Sequence, residues 1–453
     1  MAKTLVRLNF AILIALIVVN LLGAFMPELS FDALWYHLTL SKLFLLKGQW
    51  YFPGGLFYYS PMPRLAELIG MPLLAQFGYV GPKLVEFFSG LAICILIYRL
   101  AKRFTGNVLL AFTAVNLFYA TWLVSWLSSA TYVDLIRTVF ELCAFALLAG
   151  ETLTTRHKLL AGVFLGLAIG VKWHALGSLL LLSLIFSPLV IPTALLVASP
   201  WFFIAYHFTG NPVFPLFEKF MQQTQLAQVG AHYYAPLAIF SRFFFAPIFL
   251  TKPSEDFLSP VAGIVYLLAV PCLLSANKII RKIALFGILG TFLLQLTPPP
   301  STRYFLSYLP ALIIAAVYFL SRLKRVITLW IIGVFTLSAL LILGMRLSAF
   351  AKFFPYLTGK LSENRFLASQ SARLPDTFID ADDYVKNNLP SDASYVISNN
   401  LHNLFYFPYN FDHESFVDNS RRYDYLITKN TPAEEVDGDL IHINPVGIQI
   451  YKL

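Results

Sequence analysis

The stretch MPELSFDALWYHL places two carboxylates, Glu28 and Asp32, just ahead of the aromatic cluster Trp35, Tyr36 and His37. Further along stand Asp134 in SSATYVDLIRTVFEL, Lys172 in GLAIGVKWHALG and Arg303 in QLTPPPSTRYFLSYLP. A partly desolvated carboxylate such as Asp32 can act as a general base or as a metal ligand. It can equally be an acid in the first turn of a helix, favoured there by the dipole. Glu28 shares the face of Asp32 only if the helix extends back, and Pro27 and Ser30 favour a solvated loop instead. Asp134 is either a helix-start acid, a partner for Arg137, or, if Arg137 pairs with Glu141 one turn on, a carboxylate freed for a site. Lys172, with Trp173 and His174 beside it, can hold a phosphate or can snorkel to the headgroups. Arg303, followed by Tyr304, has the same two readings, anion binder or interfacial anchor. Arg64 and Arg242 are further candidates.

All of these residues lie at the edges of long apolar runs. The chain has 453 residues, of which 58% are hydrophobic and only 13% charged. Its mean hydropathy is +0.69. Apolar runs of roughly 15 to 22 residues recur, long enough to span a bilayer as helices. They fall at about 5–26, 83–101, 107–128, 133–150, 157–171, 173–187, 189–207, 259–276, 282–297, 304–320 and 326–346, about eleven spans. The predicted fold is therefore an α-helical polytopic membrane protein. The first run lacks a small-x-small cleavage site and reads as an uncleaved span rather than a signal peptide.

The net charge of +9 is not a nucleic-acid signature, because the basic residues cluster in short loops. Lys3 and Arg7, then Arg99, Lys102 and Arg103, then Arg156 and Lys158, then Lys278, Arg281 and Lys282, then Arg322, Lys324 and Arg325 all fall on one side of the predicted spans. That side is the cytoplasm. The N-terminus is then cytoplasmic, and residues 27–82, 208–258 and the tail face outward.

The first outer loop, 27–82, is rich in aromatics. Helical spacing in DALWYHLTLSKLFLLKG puts Asp32, Tyr36 and Thr39 on one stripe and Leu34, Leu38 and Leu45 on another. That pattern predicts an amphipathic helix on the outer membrane surface. RLAELIGMPLLAQFG reads as a second surface helix or a shallow re-entrant one. Residues 1–348 thus form the membrane domain, and 349–453 a small extracytoplasmic α/β domain. In that tail DTFIDADDYVKNNLP reads as a helix, and SYVISNN, YDYLITKN, LIHINPV and GIQIYKL as strands.

Several functions are excluded by what the sequence lacks. It contains no GxxxxGK[ST] and no strand-linked GxGxxG. His37, His174, His207 and His232 show no zinc spacing, and Cys94, Cys143 and Cys272 lie inside spans as small apolar residues.

In order along the chain, FDALWYHLTLSKLFLLKGQ, YVDL, GLAIGVKW, SPWFFIAYHFTGNPVFPLF and RYFLSYLP resemble the GT-C membrane glycosyltransferases. The nearest branch is the prokaryotic one of protein mannosyltransferases and lipid A aminoarabinose transferases. The resemblance covers about residues 1–345. It implies transfer of a hexose or pentose from a polyprenyl-phosphate donor to an acceptor hydroxyl on the outer face of the inner membrane, usually with inversion. The acceptor is a lipid, a glycan or a protein. By position Asp32 would be the base, and Lys172 and Arg303 would neutralise the leaving phosphate. Asp134, with Glu28, would shape the site or hold a divalent cation, Mg or Mn, if one is used. Tyr36, His37, Trp173, His174 and Tyr304 would line the substrate. Many relatives carry a double acid at the first motif, whereas Ala33 follows Asp32 here; where the SPW stretch of relatives runs on with Arg-Asn, this chain has Ile204 and Ala205. A transporter or flippase and an oligosaccharide ligase are the competing readings. The edge-located ions and the early acidic loop weigh against them.

Overall fold

The computed structural model describes residues 2–150, 152–217, 236–252, 258–295, 301–417, 421–432, 434 and 436–453. Over its described residues each predicted span lands on a helix or a pair of short helices, from Ala2–Ala24 and Val80–Thr105 through to Leu309–Leu320 and Arg325–Ala351. The end of the span expected over 282–297, and residues 218–235 and 253–257 of the outer loop expected over 208–258, lie outside the described residues. Among the described residues four helices are by themselves long and apolar enough to cross a membrane: Ala2–Ala24, Val80–Thr105, Val190–Thr209 and Arg325–Ala351. Helix ends follow local chemistry. Gly106 and Gly210 take left-handed backbone at two C-termini, and the Asn107 side chain accepts the N–H groups of Leu109 and Leu110.

Polar side chains fix the register of the bundle. Asn9 donates to Thr336 Oγ1 at 3.0 Å, and Asn116 donates to Asn9 Oδ1 at 2.8 Å. The helix Ala2–Ala24 is thereby tied to Val108–Tyr119 and Arg325–Ala351. Such bonds have no competing water in a bilayer. The helices Thr155–Val171 and Val190–Thr209 approach closely at Gly166, where a Cβ would meet the Ala194 carbonyl oxygen at 2.6 Å.

The first loop differs from its sequence reading. Ala33–His37 is a π-turn running into the helix Leu38–Lys47, which ends at left-handed Gly48. This element does not lie on an open membrane surface. Leu34 and Leu38 pack with Leu374, Ile379 and Phe405 of the tail, and Leu40, Leu43 and Phe44 with Phe378 and Phe407. Leu45 stays exposed. An apolar face reads the same in sequence whether lipid or protein covers it. The tail is clamped on by Lys42 Nζ, which donates to the carbonyls of Phe405 and Phe407, and by the Tyr406 hydroxyl, which donates to the Glu28 carbonyl. Leu65–Phe77 is helical as expected.

The tail carries a five-stranded sheet of β1 (Tyr395–Ile397), β2 (Asp412–His413), β3 (Tyr425–Lys429), β4 (Asp439–Ile443) and β5 (Ile448–Lys452), in the order β2-β1-β3-β5-β4. β2, β1 and β3 run parallel, and β5 is antiparallel to β3 and β4. β2 was not legible because it is two residues long. The helix expected over residues 376–390 shrinks to Tyr384–Asn388. Thr377 bridges Asn403 instead, and the Asp380 carboxylate accepts the N–H groups of Val385 and Lys386. The expected domain boundary at 348 falls inside Arg325–Ala351.

Candidate active site

Four segments distant in sequence meet at one end of the bundle. Asp134 opens the helix Asp134–Leu148, but its side chain is not spent as a cap. Glu86, from the neighbouring helix, accepts the N–H groups of Leu135 and Ile136 at 3.0 and 3.3 Å. Arg137 pairs with Glu141 at 3.4 Å, the arrangement that frees Asp134. Arg137 Nη2 also donates to the carbonyls of Arg303 and Tyr304, at 3.1 and 3.2 Å. Ser307 bonds Glu141 in turn. The backbone that presents Arg303 is therefore fixed from below by a buried ion pair.

On this base the charges alternate. Lys172 Nζ lies 3.1 Å from Asp134 Oδ1, and Arg303 Nε lies 3.8 Å from Asp134 Oδ2. Arg303 Nη1 lies 2.8 Å from Asp32 Oδ2. The Asp134 side chain is 0% exposed, whereas those of Lys172, Arg303 and Asp32 are 11, 15 and 20% exposed. Asp134 is thus the buried counter-ion, and the reachable end is the Asp32–Arg303 pair. Tyrosines pave the chain: the Arg303 guanidinium sits 4.8 Å from the Tyr132 ring centroid and Lys172 Nζ 5.1 Å from that of Tyr304. Tyr36, one turn past Asp32, has its phenol held well above its ordinary pKa by burial and by the Asp32 carboxylate, so it remains a proton donor.

The other expected site residues divide. His37 Nδ1 lies 2.8 Å from Glu67 Oε1, and Arg64 Nη1 lies 3.1 Å from the same oxygen. Against the pull of burial, Arg64 and His37 hold Glu67 below the ordinary carboxylate pKa. His174 stacks on Tyr304 at 3.9 Å. Trp173 is buried in the core, stacks on Phe202 and donates its indole N–H to the Phe214 carbonyl at 2.7 Å. It braces the TGNPVFPLF turn rather than lining a cleft. Glu28 corrects the solvated-loop reading, because it is 2% exposed. Its Oε1 accepts the N–H groups of Leu29 and Ser30, and its Oε2 accepts that of Thr131. It pins the loop beside Tyr132 and stands outside the ion chain. Glu67, Glu86 and Tyr132 were not singled out from sequence. Glu86 and Glu67 carried the signal of an acid inside an apolar run.

Among the described residues no three His, Cys, Asp or Glu side chains gather as metal ligands. The space between Asp32 and Asp134 is spanned by the Arg303 guanidinium. As placed, the positive charge between the two carboxylates is that of the Arg303 guanidinium.

No family model and no curated protein matches the sequence. Solved structures do match. ArnT from Cupriavidus metallidurans bound to undecaprenyl phosphate superposes with a TM-score of 0.66 over 98% of this chain and 97% of its own, at 12% identity. The chain has the ArnT fold. The apo state of the same ArnT gives a TM-score of 0.66 at 13% identity, covering 99% of this chain and 98% of its own. The helical architecture with a small α/β tail expected from sequence is thus the one observed. Because the match to ArnT runs over nearly the whole chain, it takes in the tail with its sheet as well as the multi-pass helical body.

The base of the site predicts a measurable asymmetry. Arg137→Met leaves Glu141 buried without its partner and releases residues 303–304, and a broken buried pair costs about 3–5 kcal/mol. Thermal unfolding in detergent should show a large drop for Arg137→Met. Adding Glu141→Gln should recover part of it.

Proposed function

We propose that the protein is a membrane glycosyltransferase that moves a sugar from a polyprenyl-phosphate donor to an acceptor hydroxyl at the outer face of the inner membrane. The observation that carries this reading is Arg303, held between Asp32 and Asp134 with Lys172 on the far side of Asp134. The fold shared with an ArnT bound to undecaprenyl phosphate supports it. The basic loops support a cytoplasmic N-terminus, with the site and tail outside.

In this reading Arg303 and Lys172 receive the donor phosphate. Binding draws Arg303 toward the phosphate and loosens its pair with Asp32. Asp32 then takes the proton from the acceptor hydroxyl as the oxygen attacks the anomeric carbon from the face opposite the phosphate. The bond from that carbon to the phosphate oxygen breaks, and the configuration inverts. The two cations neutralise the charge that gathers on the departing lipid phosphate, where such a reaction gains most. Asp134 keeps both cations aimed, and the Tyr36 phenol donates toward the same space. The donor sugar is a hexose or a pentose, and the acceptor a lipid, glycan or protein.

Purified protein given labelled undecaprenyl-phosphate sugars should release undecaprenyl phosphate only when acceptor is present. Uptake or flipping of the intact donor in proteoliposomes, without release, would contradict the proposal.

A further inference from the structure

A second cationic cavity, of about 960 Å³, lies outside the ion chain. It is bounded by the end of the first helix, residues 122–130, the last turns of Arg325–Ala351 and Arg373 of the tail. Neither Asp32, Asp134, Lys172 nor Arg303 lines it. Lys83, Arg346, Lys352 and Arg373 do, against one carboxylate, Glu28, whose two oxygens already accept backbone N–H groups.

Two of the cations are built in. Lys83 is 2% and Arg346 7% exposed. Lys83 Nζ donates to the Met26 carbonyl at 2.7 Å, and Arg346 donates to Asn20 Oδ1 and Ser129 Oγ. The other two, Lys352 and Arg373, have no carboxylate partner among the described residues. Burial, with Arg373 and Arg346 close by, outweighs the nearby Glu28 carboxylate and pulls the Lys352 ammonium down to about 8, which a further anion beside it would reverse. Beyond Ser30, Ser129 and Ser348 the rest of the lining is largely apolar or interfacial, with Trp122, Trp126, Leu341, Met345 and Phe350. Trp is a residue enriched at the headgroup level of membrane proteins. A free nucleotide or an acidic peptide would waste the apolar half of this surface. A phosphate attached to hydrocarbon chains uses both halves.

The geometry points to a binding site for the phosphate headgroup of a membrane lipid, its chains running along the Leu341–Met345 face of the last long helix. One strip of chain separates it from the ion chain. Ser129 and Ala130 line the cavity, and Tyr132, two residues on, lies under Arg303. The chemistry is shared by an anionic bilayer phospholipid and by a phosphate-bearing lipid substrate. The site stands independently of the transferase reading, since it rests on other residues.

Native mass spectrometry of the full chain, loaded separately with phosphatidylglycerol, phosphatidylcholine and undecaprenyl phosphate, tests it. The wild type should retain phosphatidylglycerol over phosphatidylcholine. Lys352→Glu with Arg373→Glu should cut anionic-lipid retention about 10-fold or more, since each basic residue near such a headgroup contributes about 1 kcal/mol. Lys352→Arg with Arg373→Lys should restore it. If undecaprenyl phosphate displaces phosphatidylglycerol at equal concentration, the occupant is the lipid substrate; if phosphatidylglycerol resists, it is a bilayer lipid. Equal retention by wild type and the charge-reversed variant, or no preference for the anionic lipid, would overturn the assignment. None of these readouts requires sugar transfer.

Discussion

Asp32→Asn should lower the turnover of labelled donor about 1,000-fold, within the range expected for loss of a general base. The amide keeps the shape of the carboxylate and can still meet Arg303 Nη1, now 2.8 Å from Asp32 Oδ2. It cannot take a proton. It also leaves Arg303 without its nearer counter-ion, so the donor phosphate should bind as well as before or more tightly. A fall in kcat with an unchanged or lower KM for donor is therefore the signature. Asp32 lies in a part of the chain held by Glu28, Tyr406 and the packing of Leu34, so the thermal midpoint should move little. If kcat survives in Asp32→Asn, the base lies elsewhere.

Arg303→Ala should be nearly as damaging but should fail differently. The guanidinium meets Asp32 through Nη1 and Asp134 through Nε, two nitrogens of one rigid fork. Removing it leaves two carboxylates facing the donor phosphate with only Lys172 to offset them. KM for donor should rise and kcat should fall together, by about 100- to 1,000-fold in kcat/KM, the scale of losing one preorganised charge donor. Arg303→Lys should recover only a minor part, because a point charge cannot span both carboxylates. The fold should tolerate these changes, since Arg137 holds the backbone of residues 303–304 and the Arg303 side chain does not. Steady-state kinetics alongside thermal unfolding separates the two effects.

Much of this was legible in sequence because a membrane restricts what an ionisable residue can do. Asp32, Asp134, Lys172 and Arg303 stood out as acids and cations at span edges, and the structure places all four in one contiguous chain. Helical spacing offered Arg137 two partners, Asp134 and Glu141, and the structure pairs it with Glu141. What spacing could not give was partnership across helices. Glu86 caps a helix that is distant in sequence, and Glu28 reaches Thr131 rather than solvent. Trp173 looked like a site aromatic because it neighbours Lys172, but adjacent residues on a turn point apart, and its indole went to Phe214. The loop helix was read as lipid-facing because periodicity reports an apolar face and not what covers it. The tail strands β1, β3, β4 and β5 were visible by alternation, whereas β2 was too short.

The most direct test of the convergence of Asp32, Lys172 and Arg303 on a lipid phosphate is an experimental structure with undecaprenyl phosphate bound. The phosphate should lie within hydrogen-bonding distance of both Lys172 Nζ and the Arg303 guanidinium, with the Arg303–Asp32 pair opened beyond its present 2.8 Å. A phosphate seated away from both cations, with Arg303 still closed on Asp32, would contradict it.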